Sequence, residues 1–172
     1  MGLCDLLGRT PMIIWLTGQP GAGKTTLAEG LSTIMKTWVG SFPLSTFPPK
    51  IAMVDGDEMR VIMQNPGYDK AGRHINIDRA QAVAAYLDRH MDYVLVALVA
   101  PYREQRDHFR ETHDVIEVYV HTTDERGREE FHVNDYEPPD GDHYIDIDTT
   151  GELAVDSIRR LHRALAAVSQ GS

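Results

Sequence analysis

Short apolar runs alternate along the chain with stretches whose apolar residues recur every three or four positions. Met12–Leu16, Ile51–Val54, Tyr93–Ala100, Val115–Val120 and Tyr144–Ile147 read as strands, the first two as strands buried on both faces. Between them the spacing predicts helices. One runs from Lys24 to Lys36, with Leu27, Ala28, Leu31 and Ile34 on one face. A short one spans Glu58–Gln64 and is broken by Asn65-Pro66-Gly67. A long one runs from His74 to His90, with Ile77, Ala80, Val83, Ala84 and Leu87 inward. A charged helix covers Arg103–Glu111, a polar one Thr122–Phe131, and a closing one Glu152–Val168 with Leu153, Ile158, Leu161 and Leu165 buried. Strands alternating with helices imply an α/β fold of three layers. A mainly parallel five-stranded sheet has right-handed crossovers and helices on both faces.

Residues 1–11 read as a lead-in ending at Pro11. The stretch 37–49, with Gly40, Pro43, Pro48 and Pro49, is long for a loop in a compact domain and reads as an insertion. Its aromatics Trp38, Phe42 and Phe47 pack locally or face a partner. At 172 residues the whole chain, 1–172, is most simply one domain.

The first strand runs directly into Gly18-Gln19-Pro20-Gly21-Ala22-Gly23-Lys24-Thr25, which fits the phosphate-loop pattern at every fixed position. Glycines let the backbone approach an anion, and successive N–H groups at a helix N-terminus then cradle it. The ATP site is therefore expected at Gly18, Gln19, Pro20, Gly21, Ala22, Gly23, Lys24, Thr25 and Thr26. Lys24 reaches the β/γ-phosphates and the Thr25 hydroxyl is placed for Mg²⁺. ATP with Mg²⁺ is preferred to GTP. The second strand ends in Asp55-Gly56-Asp57, at the sheet end where ligands gather in such folds. These acids suit a metal, its waters or a substrate hydroxyl. The alternative is an Asp capping the next helix, and both hold if one caps while the other faces the site.

Hydrophobic residues at 42% and charged residues at 25% are ordinary for a globular chain. The net charge of −9 argues against a nucleic-acid or anionic-membrane surface. No apolar run approaches a membrane span, and no signal peptide is evident. The single cysteine, Cys4, cannot form a disulfide within the chain, which is compatible with a reducing, cytoplasmic setting. Eight histidines form no zinc-ligand spacing, and His121, His132 and His143 read as surface residues. Arg106 and Arg110 read as a solvated helix face with acid–base pairs, whereas Arg103, just past a strand end, is better placed to face the site.

The residues resemble the adenylyl-sulfate kinase family, which phosphorylates the 3′-hydroxyl of adenosine 5′-phosphosulfate, over about residues 13–165. The carrying segments are Trp15–Thr26, Val54-Asp55-Gly56-Asp57-Glu58-Met59-Arg60, Gly67-Tyr68 with Arg73, Asn76-Ile77 and Arg79, Val99–Asp107, Glu117–Val120 and Tyr136-Glu137-Pro138-Pro139. The resemblance implies a P-loop kinase fold. It makes Lys24, Asp55 and Asp57 catalytic, with Asp55 or Asp57 taking the acceptor's proton and the other holding metal-bound water. It assigns Asp57, Arg60, Tyr68, Arg73, Asn76, Val99 and Phe131 to the acceptor, with Arg79, Arg103, Arg126 and Arg128 as further candidates. Arg60 and Arg73 suit bidentate anion contacts, and Tyr68 and Phe131 suit stacking on a purine. Tyr68 as a turn-packing aromatic is the alternative. The expected partners are two small molecules, with a homodimer admitted.

Two departures stand out. Ala100 replaces the family's usual Ser. The lid, within 121–143, is short and lacks the usual Lys-rich stretch, leaving Arg126 and Arg128 to supply positive charge. A related kinase acting on another hydroxyl (a modified nucleoside, sugar or antibiotic), or a non-catalytic ATP-binding regulator, are the rival readings.

Overall fold

A computed structural model describes residues 12–37 and 48–170, with side chains to Val168. The lead-in and the insertion's residues 38–47 lie outside the described residues. Five strands, β1 (Met12–Thr17), β2 (Ile51–Asp55), β3 (Tyr93–Ala97), β4 (Val115–His121) and β5 (Tyr144–Asp148), form one sheet in the order β2-β3-β1-β4-β5. Every neighbouring pair is parallel. The helices are α1 (Lys24–Thr37), α2 (Gly56–Ile62), α3 (Lys70–Asp88), α4 (Arg103–Thr112) and α5 (Ala154–Gln170).

The central strand shows why its sequence is apolar throughout. Ile14 and Leu16 point into a core shared with Leu27, Leu31 and Met35 of α1 and Leu161 and Leu165 of α5. Ile13 and Trp15 point the other way, into a core with Met59, Ile77, Ala80 and Phe109. A strand covered on both faces has no polar side to alternate with. Helix α1 reaches α5 closely at Gly30, where an added Cβ would lie 2.2 Å from Ile158 Cδ1.

Several boundaries differ from the sequence reading, each for a local reason. Helix α2 starts at Gly56, because Asp55 Oδ1 caps it by accepting from the N–H groups of Asp57 and Glu58. Helix α3 starts four residues earlier than expected, at Lys70, because Asp69 caps it through Gly72 N–H. Strand β3 stops at Ala97, opposite Asp55, the last residue of its partner β2. The chain then turns through Ala100 at φ 40°. Thr122–Phe131 is not a helix: its residues lack an apolar face to bury, and one 3₁₀ turn at Glu129–Phe131 remains. Helix α5 starts at Ala154, which leaves Leu153 exposed rather than buried, while Leu161 and Leu165 are fully buried.

Arg106 also departs from its expected solvated place. It is 4% exposed, and its Nε donates to Glu117 Oε1 at 2.6 Å. Its two terminal nitrogens donate to Ala100 O at 2.6 Å and Glu137 O at 2.7 Å. Arg110 is half-buried and donates to the other Glu117 oxygen. Two guanidinium groups thus share one carboxylate of β4, and Arg106 also joins the segment after β3 to Glu137.

Candidate active site

The parallel sheet ends all its strands on one edge, and the neighbours β1 and β4 send their connections in opposite directions, β1 toward β2 and β4 toward β5. Ligands bind at such a switch point. The phosphate loop, residues 18–23, sits there between β1 and α1. Gly18 at φ 145° lies so close to β4 that a Cβ would meet Val120 O at 1.9 Å. Gly21 and Gly23 also have positive φ, 85° and 100°.

Lys24 is 8% exposed, and its Nζ donates to Gln19 O at 2.9 Å. Burial lowers its pKa to about 8, against the raising pull of Asp57 and Asp55. The next residue, Thr25, donates its hydroxyl to Asp55 Oδ2 at 2.8 Å. Asp55 is therefore the acid that caps, and it also faces the phosphate loop. One oxygen caps α2, and the other meets the residue expected to bind magnesium. A hydroxyl and a carboxylate side by side at the loop fit a hard, oxygen-preferring divalent cation. Asp57 is exposed at the start of α2, and Thr26 is exposed on the first turn of α1.

The acceptor candidates lie on α2, α3 and the turn between them. Arg60 donates to Gly67 O and stands 4.3 Å over the Tyr68 ring. Tyr68 is 62% exposed, so it packs against a cation and presents an open ring. Arg73 Nη1 lies 3.9 Å from Asp135 Oδ1. Asn76 is 1% exposed and donates to Gly56 O at 3.2 Å, while its Oδ1 is buried with no partner among the described residues. An unmet buried acceptor costs about 1–3 kcal/mol, which a ligand donor or water would recover. The Val99 carbonyl accepts from Thr17 Oγ1 at 2.7 Å.

The further candidates divide. Arg126 Nη1 reaches Gly21 O and Ala22 O at 3.4 and 3.5 Å, and its Nη2 donates to Thr149 O at 2.7 Å, so it lies against the phosphate loop. The Arg128 Cβ is 3.1 Å from where a Gly21 Cβ would stand, and its guanidinium is 5.9 Å from the ring of Phe131, itself 55% exposed. Arg79 donates to Met63 O, bracing α3 against the end of α2. Arg103 is committed to Pro138 O and Asp140 and ties down the 137–140 loop rather than facing the site.

The sequence reading missed two groups. The Thr149 hydroxyl donates to Ala22 O at 3.1 Å and so supports the phosphate loop from beyond β5. The available signal was Asp148-Thr149-Thr150-Gly151, a turn after an apolar strand on the ligand edge. The segment 133–136 folds back over the loop. Gln19 makes two 2.9 Å bonds to the backbone N–H and C=O of Val133, and the Tyr136 hydroxyl is 3.0 Å from Thr17 Oγ1.

A family model described as "Adenylylsulphate kinase" matches residues 10–132. The chain belongs to the adenylylsulphate kinase family. Among this family's relatives, the adenylyl-sulfate kinase of Gloeothece citriformis is 38% identical over 109 residues, 62% of this chain and 57% of that protein. That of Chloroflexus aurantiacus is 36% identical over 99 residues, 57% of this chain and 48% of that protein. The chain spans about half the length of the curated relatives it matches. The APS kinase of Mycobacterium tuberculosis, solved with AMPPNP and APS, superposes with a TM-score of 0.70 at 20% identity, over 91% of this chain and 98% of that one. A gluconokinase from Sinorhizobium meliloti superposes at 0.62 and 17% identity, over 95% and 96% of the two chains. The α/β P-loop kinase fold is thus shared by adenylylsulphate kinases and a sugar kinase alike. Among the described residues no helix is long and apolar enough to cross a membrane.

Proposed function

We propose that this adenylylsulphate kinase family member transfers the ATP γ-phosphoryl group to the 3′-hydroxyl of adenosine 5′-phosphosulfate, in the cytoplasm. The observation that carries the reading is the 2.8 Å bond from Thr25 to Asp55, beside buried Lys24 and exposed Asp57 and in front of helices bearing Arg60, Arg73 and Asn76. Nucleotide and acceptor groups then converge at one edge of the sheet. The loop N–H groups and Lys24 hold the β/γ-phosphates of ATP. Thr25, with Asp55 behind it, would hold Mg²⁺, which when bound neutralises charge on the phosphates. Arg60 and Arg73 take the anionic tail of the acceptor, and Asn76 Oδ1 accepts one of its donors.

In the reaction the acceptor's 3′-oxygen forms a bond to the γ-phosphorus as the bond to the β-bridging oxygen breaks and ADP leaves. Asp57 takes the hydroxyl proton. Its exposed carboxylate fits this role better than that of Asp55, whose oxygens are bonded to Thr25 and to the α2 N-terminus. Most of the acceleration comes from positioning and charge neutralisation. An assay that follows ATP-dependent formation of 3′-phosphoadenosine 5′-phosphosulfate tests the reading, and no product at saturating ATP ends it.

The short lid and the fold shared with gluconokinase favour a second reading, transfer to another hydroxyl. Thermal shifts with a panel of acceptors separate the two, because a true ligand raises the unfolding midpoint.

A further inference from the structure

We propose that Asp135 is a built-in counter-anion for Arg73, a positioning residue that the acceptor's anionic tail must displace. The inference rests on the acceptor reading above, and concerns a residue beyond the stretch matched by the family model, which ends at residue 132.

Three observations carry it. First, Asp135 is held in place by its neighbours. Two residues before it, Val133 is clamped by both ends of the Gln19 amide at 2.9 Å. One residue after it, the Tyr136 hydroxyl bonds Thr17 Oγ1 at 3.0 Å. Since the Thr17 proton is engaged by Val99 O at 2.7 Å, the phenol is the donor. Beyond that, Glu137 N–H donates to Pro101 O and Arg106 donates to Glu137 O, at 2.9 and 2.7 Å. A carboxylate between two pinned residues occupies a defined position.

Second, its contact with Arg73 is loose. At 3.9 Å the pair is an ion contact without the paired N–H···O bonds of a fork, and the Asp135 side chain is 51% exposed. An oxyanion arriving from solution can take the planar fork bidentately and displace it. Both charges also act on the buried Tyr102 phenol, whose pKa is raised by burial, lowered by Arg73 and raised by Asp135.

Third, the neighbouring cations carry no carboxylate partner among the described residues. Arg60 donates to Gly67 O and lies over the Tyr68 ring without a counter-anion, and Arg79 donates to Met63 O. Lys70 stands 5.4 Å from the Tyr102 ring centre. Among the described residues, Arg73 is the guanidinium of this end that meets a carboxylate. A strongly anionic tail gains enough to exchange places with Asp135, while a neutral or weakly charged nucleoside does not. Asp135 thereby sets a threshold of charge for the acceptor and lowers affinity for every acceptor that passes it.

The test uses Asp135→Asn, which keeps shape and removes charge, and Asp135→Glu, which keeps charge. A partly exposed ion pair of this length corresponds to a few-fold effect, so Asp135→Asn is expected to lower KM for adenosine 5′-phosphosulfate roughly two- to fivefold. Its kcat and KM for ATP should stay within about twofold, and Asp135→Glu should return the acceptor KM toward wild type. Calorimetric titration with adenosine 5′-phosphosulfate should show the same tightening without turnover. An unchanged or raised acceptor KM in Asp135→Asn, or loss of kcat at unchanged KM, overturns the inference and leaves the kinase reading standing. A wild-type protein that neither binds nor phosphorylates adenosine 5′-phosphosulfate overturns both.

Discussion

The Thr25 hydroxyl donates a 2.8 Å hydrogen bond to one Asp55 oxygen, while the other Asp55 oxygen accepts from the N–H groups of Asp57 and Glu58 in the first turn of α2. One side chain therefore joins the phosphate loop to the helix that starts the acceptor site. This predicts separable defects for the two acids of Asp55-Gly56-Asp57. Asp55→Ala removes a cap as well as a site carboxylate, and should cost about 1 kcal/mol, roughly 3 °C of unfolding midpoint, besides activity. Asp57→Asn leaves the cap intact. It should lower kcat on the order of a hundredfold or more at an unchanged midpoint. Calorimetric melts and initial rates on both variants check the contrast. Equal melting defects would mean that the cap is not specific to Asp55.

Buried Lys24 gives the site a pH signature. Its pKa is lowered to about 8 in the folded chain, from 10.5, because burial disfavours the charge. Between these values the unfolded chain binds more protons, so the penalty for burying the cation is fully present below pH 8 and is relieved as pH rises toward 10.5. Phosphate oxygens act in the opposite sense, since they favour the charged form. Nucleotide binding at pH 8.5 should therefore take up a fraction of a proton, and ATP affinity should fall as pH rises above 8. Titration calorimetry in two buffers of different ionisation enthalpy measures the uptake, which should vanish in Lys24→Met.

The pair formed by Arg106 and Glu117 is 4% and 2% exposed, and it also holds the Ala100 and Glu137 carbonyls. Removing Arg106 leaves Glu117 with half-buried Arg110 as its remaining ion partner and frees the Ala100 and Glu137 carbonyls, and removing Glu117 leaves Arg106 buried with carbonyls alone. Arg106→Met should destabilise by about 3–5 kcal/mol, read from urea unfolding. Replacing both residues together with apolar ones of similar volume should cost less than the sum of the single changes, because neither charge is then left alone.

The sheet and its two cores were legible because apolar runs are long where a strand is covered on both faces, as at Ile13–Leu16. The phosphate loop was legible because its glycines and Lys24 are fixed by local geometry. What failed depended on contacts distant in sequence. Arg106 looks like any helix-surface arginine until Glu117 on a neighbouring strand buries it. Arg103 follows a strand end, yet Asp140 and Pro138 claim it. Thr122–Phe131 has helical composition but nothing to pack on, so polar bonds to the phosphate loop and to Thr150 decide its path. A cap was legible in Asp55-Gly56-Asp57 and Asp55 provides it, but the Asp69 cap was not read, because it depends on how the turn at Asn65-Pro66-Gly67 presents Asp69 to Gly72 N–H.

Gln19 offers the last prediction, since its side chain joins nucleotide loop to lid. Both polar ends of its amide are matched to Val133, with 2.9 Å bonds in each direction. Gln19→Ala deletes both and leaves the Val133 N–H and C=O to water, a loss of about 1–3 kcal/mol to the closed segment. The bond of Tyr136 to Thr17 and those of Arg106 remain, so the chain beyond residue 136 should stay anchored. Amide exchange should therefore accelerate over residues 131–135 and not in β4 or β5. Because Asp135 moves with this segment, the Gln19→Ala change should lower KM for an anionic acceptor if the counter-anion is its dominant effect. It should raise KM for ATP, whose phosphates the loop then holds less firmly. Uniform acceleration of exchange across the domain would instead mean that Gln19 supports the fold as a whole rather than the lid.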